Sequence, residues 1–228
     1  MRRIILIIAA LVVAPTLYGQ NIPEYRNDAV ELSAEYKQGN AFQQDLLLYA
    51  DMLSSTHPYY ADAKHRKGLE RRVRKVYKEC GKIEDVADFK LTLARLAASL
   101  GDGHTAISYW SNLERIFPVR LSLDINQPAI VDVTSEEHRA LLGKEVKAVN
   151  GRPLAKILRS AREIVSADND VNFLNLVKEY LMFAEFWSFL DMSDERLTLT
   201  FADGSSAEIE AINKRELSIA QLQRNTQE

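Results

Sequence analysis

The first third of the chain repeats its apolar residues at helical steps. Phe42, Leu46, Tyr49, Ala50 and Leu53 recur every three or four residues, which predicts one buried face on a helix over residues 41–56. His57 and Pro58 stop it, because the residue before a proline is pushed out of helical angles. Leu69, Val73, Val76 and Cys80 predict a second helix over 61–80, with Gly81 as its cap. Phe89, Leu93, Leu96, Ala97 and Leu100 predict a third, opened by Asp85 or Asp88 and closed by Gly101. Three amphipathic helices with short joints read as a small bundle.

Beyond residue 112 the pattern shortens and mixes. Residues 119–123 and 129–133 alternate in the strand manner around a turn at Ile125, Asn126, Gln127 and Pro128. A helical turn is expected over 136–142, a strand over 145–149 and a tight turn at Asn150 and Gly151. Helices follow over 154–165 and, rich in aromatics, over 171–190. Phe173, Tyr180, Phe183, Phe186, Trp187 and Phe189 fall at helical spacing there, which favours core over a binding groove. Residues 197–201 and 207–211 form a predicted hairpin through Asp203 and Gly204. The class is therefore α+β: a helical region over 20–112, a mixed β/α region over 113–212, and a polar tail over 213–228.

The N-terminus changes the starting point of that fold. Arg2 and Arg3 precede eleven apolar residues from Ile4 to Ala14, then Pro15 and the small residue Gly19. A bilayer helix needs about 20 apolar residues, so the run fits an export signal, with cleavage expected after Gly19. The mature chain is then expected in the periplasm or outside the cell, with no membrane span. Its lone cysteine, Cys80, permits no internal disulfide. A formal charge of −3 over 228 residues gives no general pull towards nucleic acid. Against that balance, Lys64, Lys67, Arg71, Arg74 and Lys78 form a basic stripe along the second helix. It suits an anionic lipid surface or an acidic partner, though a solvated helix face is the commoner meaning of such a run.

Candidate chemistry is sparse. His57, His65, His104 and His138 share no ligand spacing with carboxylates or cysteine, so neither a metal nor a cofactor is expected. Phosphate-binding glycine loops and the hydrolase nucleophile elbow are missing from the sequence. One cluster stands apart: Gly101, Asp102, Gly103, His104 and Thr105, just past the third helix. On a tight glycine turn His104 can project as a general base, with Asp102, Gly103 and Thr105 as binding groups around it. A helix cap followed by a turn explains the same residues.

Residues 93–100 (LARLAASL) followed by Gly101, Asp102, Gly103, His104 and Thr105 resemble the end of the helical region of tail-specific, or C-terminal processing, serine peptidases of the tricorn-like branch. His57, Pro58 and Tyr59, residues 117–121 (FPVRL) and residues 141–154 (LLGKEVKAVNGRPL) resemble the same family, the last stretch its PDZ-like part. The resemblance covers roughly residues 43 to 212. It implies peptide or unfolded protein as the partner, with a serine nucleophile in a downstream α/β core. In tricorn-like members the histidine at the position of His104 takes the serine proton. The sequence stops soon after the hairpin, so the expectation is a truncated or non-catalytic relative, inactive alone. The alternatives are a peptide-binding or chaperone-like envelope module, and a fragment whose core is encoded downstream. Ser205 and Ser206 are not read as the nucleophile, because they sit between a turn and an alternating strand.

Overall fold

Helix formation in the N-terminal part follows from caps as much as from the apolar stripe. A computed structural model describes residues 39–107, 114–123, 128–134 and 136–215. The expected export signal, the lead-in before residue 39, the turn at Ile125 to Gln127 and the tail beyond residue 215 lie outside these. The chain divides into two compact units, one reaching to Leu96 and one starting at Ala97.

In the first unit, helix α1 spans Ala41–Thr56 and opens on a capping box. Asn40 Oδ1 accepts the Gln43 N–H at 2.9 Å, and Gln43 Oε1 accepts the Asn40 N–H at 3.0 Å. Two of the four orphan amides of the first turn are thereby satisfied. The same two side chains donate to the Cys80 and Tyr77 carbonyls, both at 3.0 Å, which ties the start of α1 to the end of helix α2 (Ala63–Cys80). Leu46, Tyr49 and Leu53 of α1 and Leu69, Val73 and Cys80 of α2 are buried. Each such aliphatic side chain contributes roughly 1.5–3 kcal/mol. Helix α2 starts two residues later than the pattern predicts. A short 3-10 turn, Pro58–Ala61, intervenes, and Asp62 caps α2 by accepting the Lys64 N–H at 2.6 Å. Gly81 caps the other end with right-handed angles, not the left-handed ones usual for a terminal glycine. Helix α3 (Val86–Ala98) carries the chain across the division; Asp85 Oδ1 accepts the Asp88 N–H at 2.8 Å, and Phe89 packs on Phe42 with ring centroids 5.0 Å apart.

The second unit is antiparallel throughout. Strand β1 (Arg115–Ile116) pairs with β8 (Ile212–Asn213), and β2 (Val119–Ser122) with β3 (Ala129–Val133). Strands β4 (Val146–Val149), β5 (Arg152–Pro153), β6 (Arg196–Phe201) and β7 (Ser206–Glu210) form one sheet in the order β5-β4-β6-β7. Asn150 and Gly151, at φ 49° and 72°, make the β4–β5 turn that asparagine-glycine pairs favour. The β6–β7 hairpin runs in unbroken register from Arg196 opposite Glu210 to Thr200 opposite Ser206. Ser205 and Ser206 thus belong to a hairpin.

Helix α4 (Leu154–Arg162) buries Leu154, Ile157 and Ala161. The aromatic stretch is not one helix. It breaks into α5 (Asp170–Tyr180) and α6 (Ala184–Ser188), because Phe183 adopts extended angles and bridges to Ile116. The break lets Trp187 turn inward: it is 1% exposed, donates its indole N–H to the Leu181 carbonyl at 2.8 Å and meets Phe117 edge-on. Helices and antiparallel sheets together make an α+β fold. No described helix is long and apolar enough to cross a membrane.

Candidate functional site

The glycine-rich turn after α3 is fixed by residues that follow it by more than sixty positions. Gly101 has φ 67°, a conformation that costs a side-chain-bearing residue about 1–2 kcal/mol, and its N–H bonds the Ala98 carbonyl at 3.1 Å. Asp102 then folds its carboxylate over the turn. Its Oδ1 accepts the His104 N–H at 3.1 Å and its Oδ2 accepts the Thr105 hydroxyl at 2.6 Å. Thr105 itself is buried, at 8% exposure.

Segment 166–172 closes on this turn from the other side. The Ser166 hydroxyl lies 2.7 Å from the Asp102 carbonyl and 3.3 Å from that of Ala97. Asp168 Oδ1 accepts the Gly103 N–H at 2.7 Å. A methyl group on Gly103 would stand 2.7 Å from both Asp168 Oδ2 and Asn172 Nδ2. A side chain at the second glycine would displace those two side chains, whereas the first glycine is favoured by its backbone angle. Asn172 is held in turn by the cap of α5, where its N–H bonds Asn169 Oδ1 at 2.9 Å.

His104 projects from this clamped turn with its side chain 83% exposed. Its Nδ1 stands 3.4 Å from Asp102 Oδ1, which leaves Nε2 directed away from the carboxylate. Among the described residues, no serine hydroxyl is hydrogen-bonded to the ring. An imidazole so placed can accept a proton at Nε2 while a carboxylate faces Nδ1. All four sequence candidates, Asp102, Gly103, His104 and Thr105, lie on the one turn.

Ser166, Asp168 and Asn172 were not foreseen. The one signal for the first two is the largely polar stretch Ser166 to Asp170 after the apolar pair Ile164–Val165; Asn172 falls outside it. Together with Asp102 and His104, Asp168 completes a group whose ligand-type atoms all lie within 4.8 Å of one another. Sequence spacing cannot show such a group, because Asp168 enters from a distant segment. Its carboxylates are already engaged: Asp102 holds an amide and a hydroxyl, and Asp168 holds an amide and, at 3.4 Å, the Asn172 side chain. The carboxylates that offer ligand atoms are thus the same ones that fix the turn.

The core of this unit also leaves a small apolar cavity of about 10 Å³, room for about one water. Val119 and Leu121 of β2, Leu181, Trp187 and Leu199 line it together with Lys178 of α5.

No protein-family model matches the chain, and no curated protein sequence does. Solved structures do. Mature CPAF, a Chlamydia serine protease, superposes with a TM-score of 0.55 at 16% identity, over 75% of this chain and 34% of its own. CPAF complexed with lactacystin gives 0.58 at 16% identity, over the same shares. A CPAF point mutant gives 0.56 at 15% identity, over 75% and 33%. The fold is like that of CPAF. At such identities the likeness is one of fold, and the chain spans about a third of the CPAF chain.

Proposed function

We propose that residues 39–215 are the substrate-handling front section of a tail-specific-type serine peptidase, and that this chain does not cut peptides by itself. The reading rests above all on the likeness to a serine protease over 75% of the chain. The resemblance of residues 93–105 to the tricorn-like branch supports it, as does the exposed His104 above Asp102.

If a serine-bearing core is supplied, by this chain's gene product or by a partner, His104 would act as general base. Its Nε2 takes the serine hydroxyl proton as the oxygen attacks the peptide carbonyl. The same proton then goes to the leaving amine. Asp102 faces Nδ1 and orients the ring. Among the described residues no serine fills the nucleophile's role, which is why the isolated chain is expected to be inert. The test is incubation of the purified chain with an unstructured polypeptide. Intact substrate is the expected result. Cleavage that disappears in His104→Ala would overturn the non-cutting reading.

A peptide-binding module is the second reading, carried by the resemblance of residues 141–154 to the PDZ-like part of that family. PDZ-type modules add an extended peptide to a strand edge and hold its terminal carboxylate. Peptides with free carboxyl ends should then bind more tightly than the same peptides amidated. Equal binding would rule out carboxylate capture. Export to the periplasm or beyond, expected from residues 1–19, fits either reading and is checked by fractionating cells that express the full chain.

A further inference from the structure

The basic residues of α2 are not spread evenly around the helix. At about 100° per residue, Lys64, Lys67, Arg71, Arg74, Lys75 and Lys78 fall within an arc of about 100°. That arc lies opposite the buried Leu69, Val73 and Cys80. All six are exposed. Among the described residues only Arg74 has an acidic partner, Glu70, at 3.5 Å, and both are well exposed. The face runs along fourteen residue steps, roughly 21 Å of helix. The described part of this unit carries eleven Lys and Arg against eight Asp and Glu, in a chain whose overall charge is −3. Six cations held side by side repel one another, and like charges at helical spacing cost stability. An anionic surface would relieve that.

We propose that this face of α2 docks on an anionic phospholipid surface. The azimuths favour a plane over a groove. A flat surface meets a helix along one narrow arc, and here that arc is wholly basic. A helix seated in a nucleic-acid groove meets phosphates on both flanks, and the flanks of this arc carry Glu70 and Glu79.

The experiment is co-sedimentation of the full chain with vesicles of phosphatidylcholine alone, and of equal parts phosphatidylcholine and phosphatidylglycerol. Pure phosphatidylcholine reports any binding by the apolar run Ile4 to Ala14, so the difference between the two vesicles isolates the charge-dependent part. A cation near an anionic surface is worth about fivefold in binding. Lys67→Gln with Arg71→Gln should therefore weaken that part roughly 25-fold. Arg66→Gln with Arg72→Gln removes the same charge from the same helix but off the arc. It should weaken binding several-fold less, since these two residues lie on the flanks, about 80° and 60° beyond the edges of the arc. Raising the salt should abolish the wild-type difference. Equal binding to both vesicles overturns the proposal, as does an equal loss in the two double variants. Tighter binding to duplex DNA or single-stranded RNA than to the anionic vesicles also overturns it and assigns the face to nucleic acid. All four positions are exposed, and unchanged thermal melting of each variant shows that the helix has kept its fold.

Discussion

The two units of this chain are held together in different ways. In the helical unit the caps and buried stripes are local. Asn40 pairs with Gln43, Asp62 caps Lys64, and Leu46, Tyr49 and Leu53 follow one another on a single face. In the second unit the decisive contacts join distant residues. Asp168 reaches Gly103, Ser166 reaches Asp102, Arg115 pairs with Asp194, and Ile116 bridges to Phe183. Helices can be written residue by residue, whereas a clamped turn and a mixed sheet need partners that sequence order does not announce. The charges differ as well. The helical unit gathers six of its eleven described cations on one exposed face, whereas Asp102, Ser166 and Asp168 of the second unit fix a loop.

The sharpest way to break this contrast is to remove the long-range centre of the second unit. Trp187→Ala deletes a ring that is 1% exposed, together with its bond to the Leu181 carbonyl. It should cost about 3–5 kcal/mol, read as a lower denaturant midpoint at unchanged slope. A loss below about 1 kcal/mol would mean that the α5–α6 break is not what organises this unit. In the helical unit, Leu46→Ala removes a side chain with 0% exposure and should cost about 2–5 kcal/mol. The two ranges overlap, but the first depends on a kink and the second on a plain stripe.

That kink shows where sequence reading runs out. Residues 171–190 have helical spacing throughout, and nothing in them marks Phe183 as the residue that leaves the helix for a bridge to Ile116. Strands β1, β5 and β8 are two residues long, too short for any alternation to register. The Asn150–Gly151 turn and the Asp203–Gly204 hairpin were legible because each dipeptide carries its own turn chemistry. The same distinction divides the candidate site. Gly101 to Thr105 stood out as a cluster because its unusual residues are contiguous. Their clamp did not, since Ser166, Asp168 and Asn172 look like an ordinary polar loop ahead of a helix cap.

The clamp itself gives the next test. Asp168→Ala removes the acceptor for the Gly103 amide. At an exposed site this should cost about 1 kcal/mol, and amide exchange at Gly103, His104 and Thr105 should quicken. Gly103→Ala should do the same by displacing the Asp168 and Asn172 side chains. If exchange at these amides stays slow in both variants, the turn holds itself through Asp102 alone, and the second unit is more local than it looks. The matching change in the helical unit is Asp62→Ala, which removes the cap of α2. It should cost about 1 kcal/mol, with faster exchange confined to the first turn of that helix.

The smallest effects lie at opposite ends of the pH scale. In the helical unit, burial pushes the Cys80 thiol up to about 11, with Glu79 adding to the rise. An acid whose folded value is raised keeps its full contribution below the unfolded value of about 8.5 and loses it as pH climbs towards 11. Alkylation of Cys80 should accordingly stay slow until the unit opens. In the second unit, Ser205 bonds the Asp203 carboxylate through its hydroxyl and its amide, and Lys144 adds a further bond; together they hold Asp203 at about 2. Its contribution is present above the unfolded value of about 3.9 and fades as pH falls from there through about 2. Because Asp203 is exposed, the change should be confined to the hairpin turn, without unfolding. The Ser205 amide shift should titrate with a midpoint near 2. A midpoint near 3.9 would mean that the turn's hydrogen bonds do not persist in solution, and that even this local, sequence-legible piece of the second unit depends on its surroundings.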